Sequence, residues 1–191
     1  MATRKLGISI DAVLRRMVAE TTPALGYARR RRSENLAAWQ RRLRKRLLEL
    51  LAIDGRPRRP PPVRFVERQE MDGYVRRRGY MIAADELAVP FYLLEPAGQR
   101  RGRLGVCLAA HGHGPGKTLP VGIAANEQER QLIEQGERDY AVQAVRQGYL
   151  TICPDFRGFG ELVPAEDLAA GRGGCLQVAM RSIHLGRCVL G

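Results

Sequence analysis

Leu104-Gly105-Val106-Cys107-Leu108-Ala109-Ala110, followed at once by His111-Gly112-His113-Gly114-Pro115-Gly116-Lys117, is the stretch on which the fold turns. A short, continuously apolar run predicts a parallel strand covered on both faces, because a solvated face would put a polar residue at every second position. The glycine-rich segment behind it predicts a loop at the carboxyl end of that strand, where open α/β sheets hold their chemistry. The pattern recurs downstream, with Tyr149-Leu150-Thr151-Ile152-Cys153 as the apolar run and Pro154-Asp155-Phe156-Arg157-Gly158-Phe159-Gly160-Glu161 as the loop. Between the two, Glu127 to Gln147 reads as a helix with Leu132, Ile133, Tyr140, Ala141, Val142, Ala144 and Val145 available for burial and Gly148 as its stop. Strand, helix and strand then form a crossover unit, for which the right hand is expected.

Upstream of this unit the period changes to two. Val63 and Phe65, Tyr74-Val75, Tyr80-Met81-Ile82 and Val89-Pro90-Phe91-Tyr92-Leu93-Leu94 predict antiparallel strands, separated by turn residues at Asp72-Gly73 and Ala84-Asp85-Glu86. Earlier still, Leu36, Trp39, Leu43, Leu47, Leu50 and Leu51 recur at helical spacing between Asn35 and Ala52, with Arg41, Arg42, Arg44, Lys45 and Arg46 largely opposite. Ser33 or Asn35 is placed to cap this helix and Gly55 to end it. Arg56-Pro57-Arg58-Arg59-Pro60-Pro61-Pro62 can only be extended, since consecutive prolines supply no amide donors. Another helix is expected from about Leu176 to Leu185. The expected division is therefore a basic helical arm and linker over 1–62 and an α/β domain over 63–191, whose sheet begins antiparallel and becomes parallel.

The net charge of +12 looks at first like a nucleic-acid footprint. Residues 1–62 hold sixteen of the 32 Lys and Arg but five of the 20 acids, a net +11, which leaves +1 for the rest of the chain. The charge thus describes the arm, and no specific nucleic-acid partner is expected. No apolar run reaches the ~18 residues of a membrane span, and the first residues lack the apolar core of a secretory signal, so a cytoplasmic location is expected. Cys107, Cys153, Cys175 and Cys188 have no C-x-x-C spacing, which supports neither a zinc site nor a disulfide framework. No cofactor or metal is expected.

Taken in order, the two loops resemble those of the alpha/beta-hydrolase superfamily, in which an HG-type turn follows the third strand and a PDxRGxG-like turn the fourth. The similarity extends to esterase-like members related to dienelactone hydrolases and acetylxylan esterases. There His111-Gly112-His113-Gly114, the helix start Asp139-Tyr140-Ala141, Gly148-Tyr149 and Arg157-Gly158-Phe159-Gly160 have counterparts in the same order, and the helix from Trp39 to Leu51 looks like that branch's N-terminal extension. The resemblance covers most of residues 36–191. It implies ester hydrolysis of a small-molecule substrate, with the backbone amides of His113 and Gly114 as oxyanion donors; Pro115 has no amide hydrogen and cannot serve. His111 and Gly112 would then support the loop, because the family's catalytic histidine lies near the end of the full chain. Asp155 and Arg157 would form an ion pair fixing the second loop, with Gly158 and Gly160 letting it turn.

The nucleophile is missing from this picture. Acyl transfer in the family uses a serine in a G-x-S-x-G elbow, and Ser9, Ser33 and Ser182 have no such flanks. Ser182 and His184 are two apart on a helix and point to different sides. The resemblance therefore implies that serine, acid and histidine lie beyond Gly191 and that the chain by itself is inactive. It also implies that the nucleophile strand pairs with strand 104–110. Without that partner the strand is an exposed apolar edge open to self-association.

Two other readings compete. Gly112 to Thr118 resembles a phosphate-binding P-loop, but G-x-x-x-x-G-K-[ST] requires glycine where His111 stands, and Pro115 removes an amide from a nest that works by donating amides. The arm from Arg4 to Arg59 could instead make the chain a basic protein that binds nucleic acid or an anionic surface, with a steep salt dependence.

Overall fold

The computed structural model describes residues 9–53, 59–83, 85–98 and 102–189. The expected helix stop at Gly55, the first residues of the Arg/Pro linker and Ala84 of the second turn lie outside them. The chain falls into two compact units, Met1–Asp54 and Gly55–Gly191.

The first unit holds helices α1 (Ile10–Glu20) and α2 (Leu36–Leu50) with a single 3-10 turn, Tyr27–Arg29, between them. Of the two candidate caps for α2, Asn35 does the work: its side chain accepts the amide of Ala38 at 2.8 Å. Trp39 ties the helix to the preceding segment, donating its indole N–H to the carbonyl of Leu25 at 3.1 Å while its ring meets Tyr27 edge-on. Helix α1 has no counterpart among the expected elements.

The second unit is a five-stranded sheet made of β1 (Val63–Met71), β2 (Tyr74–Ile82), β3 (Ala88–Pro96), β4 (Val106–Leu108) and β5 (Leu150–Pro154), in the order β1-β2-β3-β5-β4. The first three strands form an antiparallel meander, with Met71 opposite Tyr74 across the Asp72-Gly73 turn. β5 pairs antiparallel with β3 and parallel with β4, so the sheet changes character where the sequence changes period. β5 lies inside the sheet, and its Thr151, Cys153 and Pro154 are buried. β4 differs from expectation. It is three residues long instead of seven and forms the end of the sheet, with Val106 70% and Leu108 62% exposed. A continuous apolar run reports the burial a strand is made for, and among the described residues one side of β4 has no paired strand.

The helix expected over 127–147 is two helices, α3 (Glu127–Glu134) and α4 (Tyr140–Arg146). Asn126 caps α3 by accepting the amide of Glu129 at 2.9 Å. The break follows from Gly136, a poor helix former, and from Glu137, which takes a left-handed φ of 51° and turns the chain so that the Arg138 amide returns to the carbonyl of Leu132. α4 packs across β3 and β5, and Ala141, Val142 and Val145 meet Tyr74, Leu94, Ala109, Val121 and Cys153 in the core. The short α5 (Ala165–Ala169) and α6 (Cys175–His184) follow β5.

Candidate active site

The loop after β4 and the loop after β5 lie side by side, and one histidine joins them. His111 is buried, and its Nε2 accepts the backbone N–H of Phe156 at 3.0 Å. An acceptor at Nε2 puts the ring proton on Nδ1, which donates to the carbonyl of Gly112 at 2.9 Å. The ring also packs against Phe156 and Phe159, with centroids at 4.7 and 5.2 Å. Both nitrogens are therefore engaged in holding backbone, which leaves neither free to take a proton from a nucleophile.

Beneath the loops sits a buried ion cluster that the sequence did not reveal. Lys117 is 2% exposed, and its ammonium lies 2.6 Å from Asp155 Oδ2 while also reaching Glu161. Asp155 further accepts the amides of Lys117 at 2.8 Å and Glu161 at 3.1 Å. Glu161 in turn accepts from Arg78 on β2 at 2.7 Å. The two loops and the meander are thus cross-linked through two cations and two carboxylates. The expected Asp155–Arg157 ion pair is replaced by this arrangement: Asp155 points inward to Lys117, and Arg157 points away to Asp85 at 2.5 Å. Arg157 opens the turn at 157–158 that leaves the strand direction, so its side chain swings outward while Asp155 stays 2% exposed, which separates the partners that the sequence places together. Gly116 and Gly160 make the cluster possible, since a Cβ on either would collide with the Asp155 carboxylate. Gly158, at a φ of 83°, lets its loop pass against the backbone of Cys175.

Burial alone would lower the pKa of Lys117, but its hydrogen bonds to Asp155 and Glu161 outweigh burial and hold it above the ordinary lysine value. For Glu161, burial opposes ionisation, and the Lys117 and Arg78 partners win, keeping its carboxyl below the usual range. A carboxyl with a depressed folded pKa stabilises the fold above its unfolded pKa of about 4.3 and loses that contribution as the pH falls through the folded value. Urea-unfolding midpoints are therefore expected to drop below about pH 4.3 more steeply in the native chain than in Glu161→Gln. Cys153, one strand residue away, is pushed up to about 12 by burial and stays a thiol, which removes it as a nucleophile.

Around the first loop is a cavity of about 230 Å³ whose wall includes His111, Gly112, His113 and Gly114 together with Leu119, Leu132, Arg138 and Tyr140. Among the described residues, the amides of His113 and Gly114 have no acceptor. The imidazole of His113 lies 3.5 Å from the sulfur of Cys175 at the start of α6 and edge-on to Phe159. Tyr140 donates its hydroxyl to the carbonyl of Ala110 at 2.9 Å, so α4 holds the end of β4 from which the loop departs. Ser182 donates its hydroxyl to the carbonyl of Val178 within its own helix at 2.7 Å. The Lys117 ammonium, committed to two carboxylates, is not available to phosphate as the P-loop reading requires. Nothing in the sequence marks Lys117 as buried, because lysine is ordinarily exposed. Arg138 and Tyr140 were masked by a helix whose break was not foreseen.

The antiparallel-to-parallel sheet, with paired loops at the carboxyl ends of its two parallel strands, defines an α/β-hydrolase architecture. A solved structure from Bacteroides fragilis NCTC 9343, assigned as an acetyl xylan esterase, superposes with a TM-score of 0.75 over 98% of this chain at 19% identity. This chain covers 48% of that structure's length. No curated protein sequence matches it. A family model described as Abhydrolase family matches residues 3–182, and the chain belongs to that family within the alpha/beta-hydrolase superfamily. Among the described residues, no helix is long and apolar enough to cross a membrane.

Proposed function

We propose that these 191 residues supply the oxyanion side of a carboxylic-ester hydrolase that acts on a small-molecule ester, with the amides of His113 and Gly114 receiving the charge that develops on the carbonyl oxygen. The observation that carries this reading is the pair of adjacent amides without acceptors on the wall of a cavity, in a loop held from below by His111 and the Lys117–Asp155 pair. Each such donor lowers an acyl-transfer barrier by roughly 3 kcal/mol when it is fixed before the charge appears. Gly112, Gly158 and Gly160 serve the geometry of the two loops, and Arg157 anchors the second loop to Asp85.

Hydrolysis also needs a nucleophile, and the sequence of the 191 residues contains no serine elbow. The open side of β4, with Val106 and Leu108 exposed beside a groove of about 430 Å³, is where a nucleophile-bearing strand would pair. The same edge is open to association between copies of the chain. The 191-residue chain is accordingly expected to hydrolyse p-nitrophenyl acetate no faster than buffer does. A rate above buffer that survives purification to constant specific activity would overturn this division of labour.

A further inference from the structure

Arg138 is the one Lys, Arg, Asp or Glu on the wall of the cavity beside the oxyanion loop. Among the described residues, it has no ion-pair partner. It is placed there by an unusual piece of backbone: Glu137 before it adopts a left-handed φ of 51°, and the Arg138 amide is anchored to the carbonyl of Leu132. A non-glycine residue in that region costs on the order of 1 kcal/mol, so this turn is held by the structure around it. The carbonyl of Glu137 is fixed as well, accepting from the Gln143 side chain at 3.2 Å. Tyr140, on the same wall, has its pKa raised by burial first, so it stays a neutral phenol and brings no compensating negative charge. Leu119, Pro120 and Leu132 supply the apolar part of the wall, and Arg138 itself is exposed to solvent, open to a ligand.

We infer that Arg138 is a specificity residue that takes a carboxylate on the substrate, so that the preferred ester carries a free acid group close to the bond to be cleaved. This rests on the ester-hydrolase reading and narrows its substrate class. A guanidinium offers two parallel donors to a carboxylate, a geometry that a neutral ester group cannot match.

The test is a binding comparison that needs no turnover. The 191-residue chain is titrated by calorimetry with monoethyl succinate, with the neutral diethyl succinate and with inorganic phosphate. The half-ester is expected to bind about tenfold more tightly than the diester, as one charge-assisted hydrogen-bond pair allows. Arg138→Gln should abolish that preference, and Arg130→Gln, an exposed arginine on α3 paired with Glu127, should leave it intact. Thermal unfolding of Arg138→Gln confirms that it folds; should it not, Arg138→Lys, which keeps the charge but loses the paired donors, replaces it and is expected to weaken the preference. Equal binding of the two esters, a preference that survives loss of Arg138, no half-ester binding up to about 10 mM, or tighter binding of phosphate would each overturn the inference. Hydrolysis of p-nitrophenyl acetate by the chain would overturn the proposed division of labour and leave this comparison unaffected.

Discussion

Replacing Lys117 with methionine is expected to destabilise the fold by about 3–5 kcal/mol, the usual cost of removing one partner from a buried ion pair. The ammonium is 2% exposed and lies between Asp155 and Glu161, so its loss leaves a buried carboxylate without a cation and brings two like charges together. Methionine fills nearly the same volume, which keeps a cavity from contributing to the loss. Asp155 would still accept the amides of Lys117 and Glu161, so its immediate backbone is held while the charge goes unanswered. Urea denaturation followed by circular dichroism measures the change. Adding Asp155→Asn to Lys117→Met should recover part of the stability, because a neutral amide no longer needs a counter-charge. A Lys117→Met chain as stable as the native one would show that the cluster contributes no net stability.

Gly160→Ala is expected to cost about 2–4 kcal/mol, combining a left-handed backbone with overpacking at a rigid site. At a φ of 53° an alanine is strained before any contact is considered. Its Cβ would then strike a carboxylate that cannot retreat, since Asp155 is fixed by Lys117 and by two backbone amides. Gly171→Ala is the matched control, with a similar φ of 65° and open space around it, and should show the backbone penalty alone. Denaturant unfolding of the two variants separates strain from collision. Equal losses in both would mean that the Asp155 carboxylate is free to move.

These two residues mark the boundary of what could be read without coordinates. The strands Val63–Met71, Tyr74–Ile82 and Ala88–Pro96 and the apolar run before Pro154 were legible from local period and turn residues, although Val63–Met71 is exposed along nearly its whole length. The loop glycines were legible as turns, but not the reason for them: Gly116 and Gly160 make room for a buried carboxylate thirty-nine residues and five residues distant in sequence, respectively. Pairing choices were the least legible. Asp155 and Arg157 are neighbours of opposite charge, yet each found a distant partner, since strand and loop geometry decides which side a residue faces.

The sequence by itself determined the class of fold, the positions of the two loops and the absence of a serine elbow within its length, all of which rest on local pattern and residue type. The tertiary structure alone decided that Lys117 is buried between two carboxylates, that His111 spends both ring nitrogens on backbone, that α3 and α4 are separate and that Arg138 lines one cavity with His113 and Gly114. The physical reason is the same throughout. Periodicity and turn chemistry are written in adjacent residues, whereas charge pairing and burial depend on which distant segments the fold brings within a few ångströms.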